Sequence, residues 1–365
     1  MSHLLSISTA VPEHSTPQHK TARFMRNVAS HTTGMDHDHP MLQKLQRFYD
    51  KSGIERRYSV LEDYTKDDPE AFEFYGKNWN LDPFPTTAQR MQQYKRHAVP
   101  LAVRAGRQAL KDAGVSPQEV THLIMTTCTG FFAPGPDVLV AKHLELRSSV
   151  QRLQIGFMGC YAGFNGMRQA AAILAYDPKA VVLQVCVELC TLHYQRDADL
   201  DSIVANCLFA DGCAAAVWGG PERAQGAIAH LVDFGSEVDD DSLDDMKWDI
   251  GDHGFRMGLS PQVPETIERE LRGFVQSLSA LGDVDLWAVH PGGRAILDAA
   301  RDALELDESQ LEVARGVLRD FGNMSSATIF FVLSRILSRA TPDQRVMALG
   351  FGPGLTLEGA LLRAC

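Results

Sequence analysis

The chain reads as an α/β protein made of two halves, residues 1–221 and 222–365, that repeat one order of elements. Three observations lead there. Short apolar runs of strand length alternate with segments whose apolar residues recur every three or four positions. The order helix, strand, loop, helix, strand occurs in each half. A chain of 365 residues with 45% hydrophobic and 22% charged residues also suits one large or two fused medium globular units.

Taken in order, Leu4 to Val11 reads as a first strand, stopped by Pro12. Residues 41–51 and 97–113 carry helical periodicity, and Gln118 and Glu119 lead into a strand from Thr121 to Thr127. Val150 to Phe157 reads as a buried strand. Beyond it Ala162, Met167, Ala170, Ala171 and Leu174 recur at helical spacing. Ala180 to Val187 is a further buried strand, and DGCAAAVWG, Asp211 to Gly219, is another built from small residues. Gly220-Pro221 closes the first half. In the second, a helix from Pro264 to Leu281 precedes a strand from Leu286 to His290 and a helix from Arg294 to Leu306. The loop FGNMSS opens a helix from Ser325 to Ala340, and strands Arg345 to Gly350 and Leu355 to Leu362 complete the order. Identity between the halves is low, so the duplication is one of architecture. Its register sets Asn323 opposite Cys160.

A net charge of −11 argues against nucleic acid or an anionic membrane surface as a general partner. An anionic ligand then needs a local basic cluster. No stretch approaches a transmembrane span, and the N-terminal residues lack the charged-then-apolar pattern of a secretory signal. Seven cysteines, an odd number with several inside apolar runs, suit reduced thiols in a cytoplasmic protein better than a disulfide framework. The acidic run EVDDDSLDDMKW, 237–248, reads as a solvated loop, and DHDH, 36–39, as a surface loop. Neither shows a recognised metal-ligand spacing.

The chemistry centres on Cys160. It lies where the strand Val150 to Phe157 turns through small residues into a helix. Unpaired N–H groups and the positive end of the helix dipole favour a thiolate there, and the thiolate is the nucleophilic form. His290 ends the strand DLWAVH and is followed by Pro291, Gly292 and Gly293, which expose the imidazole at the carboxyl edge of a sheet. Asn323 sits in a glycine-flanked loop just before a helix. A thiolate needs a base or imidazolium partner and a developing oxyanion needs fixed donors, which His290 and Asn323 can supply.

GFMGCYAGFNGMR, AVHPGGRAILD, FGNMSSATIFFVL and GFGPGLTLEGALLR resemble the signature regions of type III polyketide synthases, the chalcone-synthase-like family. The resemblance keeps order and spacing from about Leu42 to the C-terminus. It implies a five-layered αβαβα thiolase fold and a homodimer. It also implies iterative decarboxylative condensation of malonyl-CoA onto an acyl-CoA starter, with no acyl carrier protein and no metal or redox cofactor. Carried over, Cys160 holds the starter as a thioester, His290 and Asn323 bind the malonyl thioester carbonyl, and ion pairing with His290 keeps the thiolate available.

Further residues follow from the same resemblance. Phe209, in ANCLFADGCAAA, matches the gatekeeping phenylalanine. The second gatekeeping aromatic falls at Met257, with Phe255 as the competing position. LQKLQRFYDKSGIERRY resembles the basic CoA-binding segment, with Lys44, Arg47 and Lys51 on one helical face. Gly292, Gly293 and Ala295 fall on the CoA side.

Cys128, Cys190 and His193 replace threonines that line the starter cavity of plant members, which makes the lining less polar. Of the hydroxyl, glutamate and serine that promote aldol closure in stilbene-type members, Glu188 and Ser325 match, and Cys128 replaces the hydroxyl. Ala133 stands where plant enzymes place a methionine that reaches into the partner's cavity, with Phe131 and Phe132 near enough to refill the space. These departures imply an enzyme extending a medium or long acyl-CoA to an alkyl α-pyrone or alkylresorcinol. A malonyl-primed tetrahydroxynaphthalene-type synthase and a ketoacyl-ACP synthase III-like condensing enzyme are the alternatives.

Overall fold

A computed structural model describes residues 2–365. In chain order its strands are β1 (Ser2–Ala10), β2 (His14–Pro17), β3 (Arg56–Ser59), β4 (His122–Thr127), β5 (Gln151–Gly156), β6 (Val181–Leu189), β7 (Asp211–Gly219), β8 (Ala229–Val238), β9 (Met246–Gly251), β10 (Gly254–Leu259), β11 (Leu286–Val289), β12 (Arg345–Gly352) and β13 (Thr356–Ala364). Its α-helices are α1 (Gln18–Thr33), α2 (Pro40–Lys51), α3 (Thr87–Asp112), α4 (Pro136–His143), α5 (Ala162–Tyr176), α6 (Leu200–Leu208), α7 (Val263–Leu278), α8 (Arg294–Leu304), α9 (Glu312–Phe321) and α10 (Thr328–Leu337).

Nine strands join in the order β5-β4-β6-β7-β1-β8-β13-β12-β11. β6 and β7 are buried along their whole length; their residues are apolar or small, as strands covered on both faces require, except Gln184 and Glu188 in β6 and Asp211 in β7, each of which is hydrogen-bonded. β1 pairs with β7 from His3↔Gly219 to Ala10↔Cys213, but meets β8 only over Ser2↔Leu231, His3↔His230 and Leu4↔Ala229. That short seam joins a half-sheet from the first half of the chain to one from the second. α5 packs on β4 and β6 and reaches β13, while α10 packs on β11 and β12 and reaches β7 and β1. The two helices therefore lie between the half-sheets. α3 covers the outer face of β1, β7 and β6, and α7, with α8 against it, covers β8 and β13. The result is the five-layered αβαβα arrangement.

Several local expectations change. β5 is the exposed edge of the sheet rather than a buried strand, since Gln151, Arg152 and Gln154 all face out. α3 begins at Thr87 instead of residue 97, because Thr86 and Gln89 form a capping box in which Gln89 Oε1 accepts from Thr86 N at 2.8 Å. The DHDH segment is a surface loop whose last member, His39, caps α2 by accepting from Met41 N. The acidic run is only partly loop. Val238 still belongs to β8, and Met246 to Trp248 open the hairpin β9–β10. The helices α1, α4, α6 and α9 and the ribbon β2–β3 add to the elements expected from the sequence, although α9 carries Val313, Ala314, Val317, Leu318 and Phe321 at helical spacing.

The middle layer depends on close backbone approach. A Cβ built on Gly163 in α5 falls 2.9 Å from the carbonyl oxygen of Ser326 and 3.1 Å from the Phe330 ring. Gly163→Ala must push the two central helices apart. It should lower unfolding free energy by about 1–3 kcal/mol, read from urea denaturation. An unchanged midpoint and slope would show that this contact has slack.

Candidate active site

The turn between β5 and α5 is built from left-handed backbone. Phe157 has φ 60° and Gly159 φ 84°, and a Cβ at Gly159 would lie 2.2 Å from Pro353 Cδ. Only glycine fits there. Ala162 N donates to Gly159 O at 3.1 Å, so Cys160 is presented in the turn that leads into α5. Beneath it, Cys128 Sγ accepts from Gly159 N at 3.1 Å.

His290 follows β11, with its backbone N–H donating to Leu349 O at 2.8 Å. Its imidazole is buried, and neither ring nitrogen has a hydrogen-bond partner among the described residues. Asn323 comes from the loop between α9 and α10. Its Oδ1 accepts from Ser325 N at 2.8 Å, which turns Nδ2 towards Cys160 Sγ, 4.0 Å away, and Gly292 O, 3.1 Å away. Cys160, His290 and Asn323 all open on one cavity. The register expected from the two halves is the one observed.

That cavity is an outer passage. A second, inner cavity lies beyond it, and Cys160, Phe209 and Met257 line both. Phe209 and Met257, the positions expected to gate, therefore stand at the junction beside the thiol. Met257 and Phe255 divide the work: Met257 is at the junction, while Phe255 lies wholly on the inner side, stacked on His193 with centroids 4.1 Å apart. Trp248 is the residue the sequence reading missed. It lines the inner cavity, with Nε1 donating to Cys128 O at 2.8 Å. Its position opposite Met257 in the β9–β10 ribbon is the signal, obscured by the acidic residues before it.

Cys128, Cys190, His193 and Ser325 line the inner cavity as expected, whereas Glu188 and Ala133 do not. Glu188 is fully buried behind the wall, where it accepts from Thr129 Oγ1 at 2.7 Å, from Cys128 N at 2.9 Å and from the Ser326 hydroxyl. The serine on this carboxylate is thus Ser326, not Ser325, because the turn at Ser325 (φ 47°) sends the two hydroxyls apart. Ala133 is exposed, and neither Phe131 nor Phe132 enters this chain's cavity. His193 has both nitrogens engaged: Nε2 with Thr129 O at 2.8 Å, and Nδ1 accepting from Phe255 N at 3.0 Å. It offers the cavity a ring face.

Gly292, Gly293, Ala295 and Lys51 line the outer passage. Lys44 and Arg47 are exposed on the same helix but outside that lining; Lys44 Nζ sits over the Phe48 ring, 5.9 Å from its centroid. Arg294 joins the lining from the start of α8. In the sequence it is the one cation of the HPGGRA turn.

Burial pushes the Cys160 thiol up to about 11, and the nearby Glu188 carboxyl adds to the rise, against hydrogen bonds from Ser325 and Asn323. Burial also drives His290 down to about 3. Burial therefore disfavours each charge taken singly, and pairing of a thiolate with an imidazolium is the arrangement that would stabilise both at once. Burial raises Glu188 as well, to about 7, against hydrogen bonds from Ser326, Cys128 and Thr129. Removal of His290 leaves the thiol with only its burial. In His290→Ala the rate of Cys160 alkylation by iodoacetamide at pH 7 should fall at least about tenfold and recover only as pH approaches 11. Peptide mass spectrometry at Cys160 reads this directly, and superimposable pH profiles for the two proteins would sink the ion-pair account.

Residues 1–221 match the family model for the N-terminal domain of chalcone and stilbene synthases, and residues 240–365 match that for their C-terminal domain. The chain is 33% identical over 288 residues to an alpha-pyrone synthesis polyketide synthase-like protein, Pks18, of Mycobacterium tuberculosis, covering 76% of this chain and 73% of the relative. Its fold superposes on PKS-I from the brown alga Ectocarpus siliculosus with TM-score 0.91 and 31% identity, covering 100% of this chain and 98% of the other. It also superposes on the C-terminal type III polyketide synthase domain of Steely1, a type I/III hybrid from Dictyostelium, with TM-score 0.90 and 27% identity, covering 100% and 99%. The two matched domains, each holding its part of one Cys, His and Asn site, make this chain a member of the chalcone and stilbene synthase family, the type III polyketide synthases.

Proposed function

We propose that the chain extends a medium or long acyl-CoA with malonyl-CoA and releases an alkyl α-pyrone. One observation supports the alkyl starter: the polar groups in the inner wall are spent on the protein itself. Gln195 Nε2 donates to the carbonyls of His193, His253 and Phe255, Asn206 Nδ2 to Gln195 O, Ser202 Oγ to Asp199, and Thr191 Oγ1 to Asp211. With Met257, Phe255, Trp248, Cys128 and Cys190 between them, the wall presents carbon and sulfur, which favours an aliphatic chain over a hydroxylated ring.

In this reading Cys160 Sγ attacks the starter thioester and CoA leaves as the thiol, with its proton delivered from His290. Nε2–H of His290 and Nδ2–H of Asn323 hold the malonyl carbonyl oxygen. Loss of CO2 leaves the electron pair as an enolate on that oxygen. The enolate carbon attacks the acyl carbon and Sγ departs, so the chain grows by two carbons on CoA and then returns to Cys160. Closure by an enol oxygen on the terminal thioester carbonyl gives the lactone and frees the thiol or CoA. Two features favour lactone over aldol closure: Cys128 in place of a hydroxyl, and a Glu188 that lies behind the cavity wall with its carboxylate occupied by Thr129, Cys128 N and Ser326. Lys51 and Arg294 at the mouth suit the phosphates of CoA.

The homodimer belongs to the same proposal. β5 is an unpaired sheet edge, and Phe131, Leu153 and Met158 near it are large apolar residues at 36–40% exposure. A second copy laid along that edge covers them and buries the Ala133 turn. The buried free thiols fit the reducing cytoplasm. Leu153→Glu should shift the mass read by light scattering from two chains to one; a wild-type monomer at micromolar concentration would refute the dimer.

The substrate test is product mass spectrometry with malonyl-CoA alone and with acetyl-, octanoyl-, palmitoyl- and coumaroyl-CoA. Alkyl pyrones from octanoyl- and palmitoyl-CoA, absent with Cys160→Ala, are the expected result. Products from malonyl-CoA alone would point to a naphthalene-type synthase, resorcinols to aldol closure, and a requirement for acyl carrier protein to a different condensing enzyme.

A further inference from the structure

Arg57 belongs to neither the reacting trio nor the outer mouth. It is 6% exposed, it lines the inner cavity, and the partners of its guanidinium are neutral oxygens. Nε donates to Gln18 Oε1 at 3.0 Å, and one Nη donates both to Asn206 O at 2.7 Å and to Phe209 O at 2.5 Å. Gln18, equally buried, donates from Nε2 to Cys207 O at 3.0 Å. Leu208 O is taken by Asn323 N at 2.9 Å. Each carbonyl from Asn206 to Phe209, the C-terminal end of α6, is thereby bonded to a distant part of the chain. These carbonyls would otherwise be the orphans of the helix end, at the negative pole of its dipole, where a fixed cation is favoured.

The segment so held is the one that carries Phe209. Alongside it, Asn323 O accepts from Ala210 N at 2.8 Å, so Phe209 and Asn323 stand as partners in a one-step parallel bridge. Gly322, at φ 72°, lets the chain cross the Arg57 stem: a Cβ there would lie 3.0 Å from both Arg57 Cγ and Leu208 O. One side chain thus grips the backbone of the gate and packs under the residue before Asn323.

We propose that Arg57, seconded by Gln18, is a positioning residue that clamps the end of α6, aiming Phe209 at the junction and holding the Asn323 amide at Cys160. This rests on the roles given above to Phe209 and Asn323 and is independent of the product formed. Arg57 makes and breaks no bond. Its loss leaves the Cys160 turn, which is held by α5 and Pro353, able to accept an acyl group. The steps that need Phe209 and Asn323 in place suffer instead.

The test uses the full chain with Arg57→Gln, Arg57→Lys and Gln18→Leu. Intact mass counts the Cys160 sites that accept an acyl group, and malonyl-CoA decarboxylation and product lengths are then expressed per acylatable site. Arg57→Gln should lower decarboxylation about 10- to 100-fold per site and shift products towards fewer extensions. Arg57→Lys should recover part of the loss, since an ammonium keeps the charge but not the fork, and Gln18→Leu should show a smaller loss of the same kind. If activity falls only in proportion to acylatable sites, with product lengths unchanged, Arg57 serves the fold alone and the proposal fails. Asn323→Ala is the control. Wild-type decarboxylation in that variant would overturn the role of Asn323, and the clamp would fall with it; intact roles with an insensitive Arg57 would overturn the clamp alone.

Discussion

Two backbone hydrogen bonds carry more of this site than any side chain: Asn323 N to Leu208 O and Ala210 N to Asn323 O. They tie a loop of the second half to the segment joining α6 and β7 in the first. Without them the halves would still meet at the β1–β8 seam and across the central helices, but their site loops would have no shared register. Asn323 and Ala210 are buried, and a buried amide or carbonyl left unpaired is costly, so the register is enforced rather than preferred. Cys160 and Asn323 reach each other because this junction permits little else.

The surroundings of that junction follow one rule. Polar side chains are plentiful near the thiol, yet nearly every one is bound to backbone or to another buried group, with His193, Gln195, Thr129 and Glu188 as the clearest cases. The ring nitrogens of His290 stand apart: among the described residues neither has a partner. A buried imidazole left without a partner is expensive, and such expense persists where the group is kept for a transient one. The contrast between satisfied walls and an unsatisfied His290 separates scaffold from chemistry in this cavity.

The repeated order of strands and helices was legible because its signals are local. The largely apolar runs of β6 and β7, the Gly159-Cys160 turn and the glycines after His290 each declare their own conformation. Trp248 and the edge character of β5 were less legible. Asp239, Asp240 and Asp241 in front of the hairpin mimic a solvated loop, and whether a strand is central or edge depends on what lies beside it. Ser325 and Ser326 show the same limit at finer scale: adjacent serines point to different places because one residue adopts φ 47°.

By itself the sequence determined the α/β class and the family, and it singled out Cys160, His290 and Asn323, which the fold brings to one cavity, since each depends on patterns a few residues long. Tertiary structure alone decided that Met257 rather than Phe255 stands at the junction, that Ser326 rather than Ser325 meets Glu188, and that Arg57 grips the end of α6. Those outcomes turn on contacts between segments far apart in the chain, such as the 138 residues between Ser326 and Glu188 and the 149 between Arg57 and Asn206. No local pattern encodes them. They emerge when packing brings unpaired carbonyls and donors together and burial obliges them to pair.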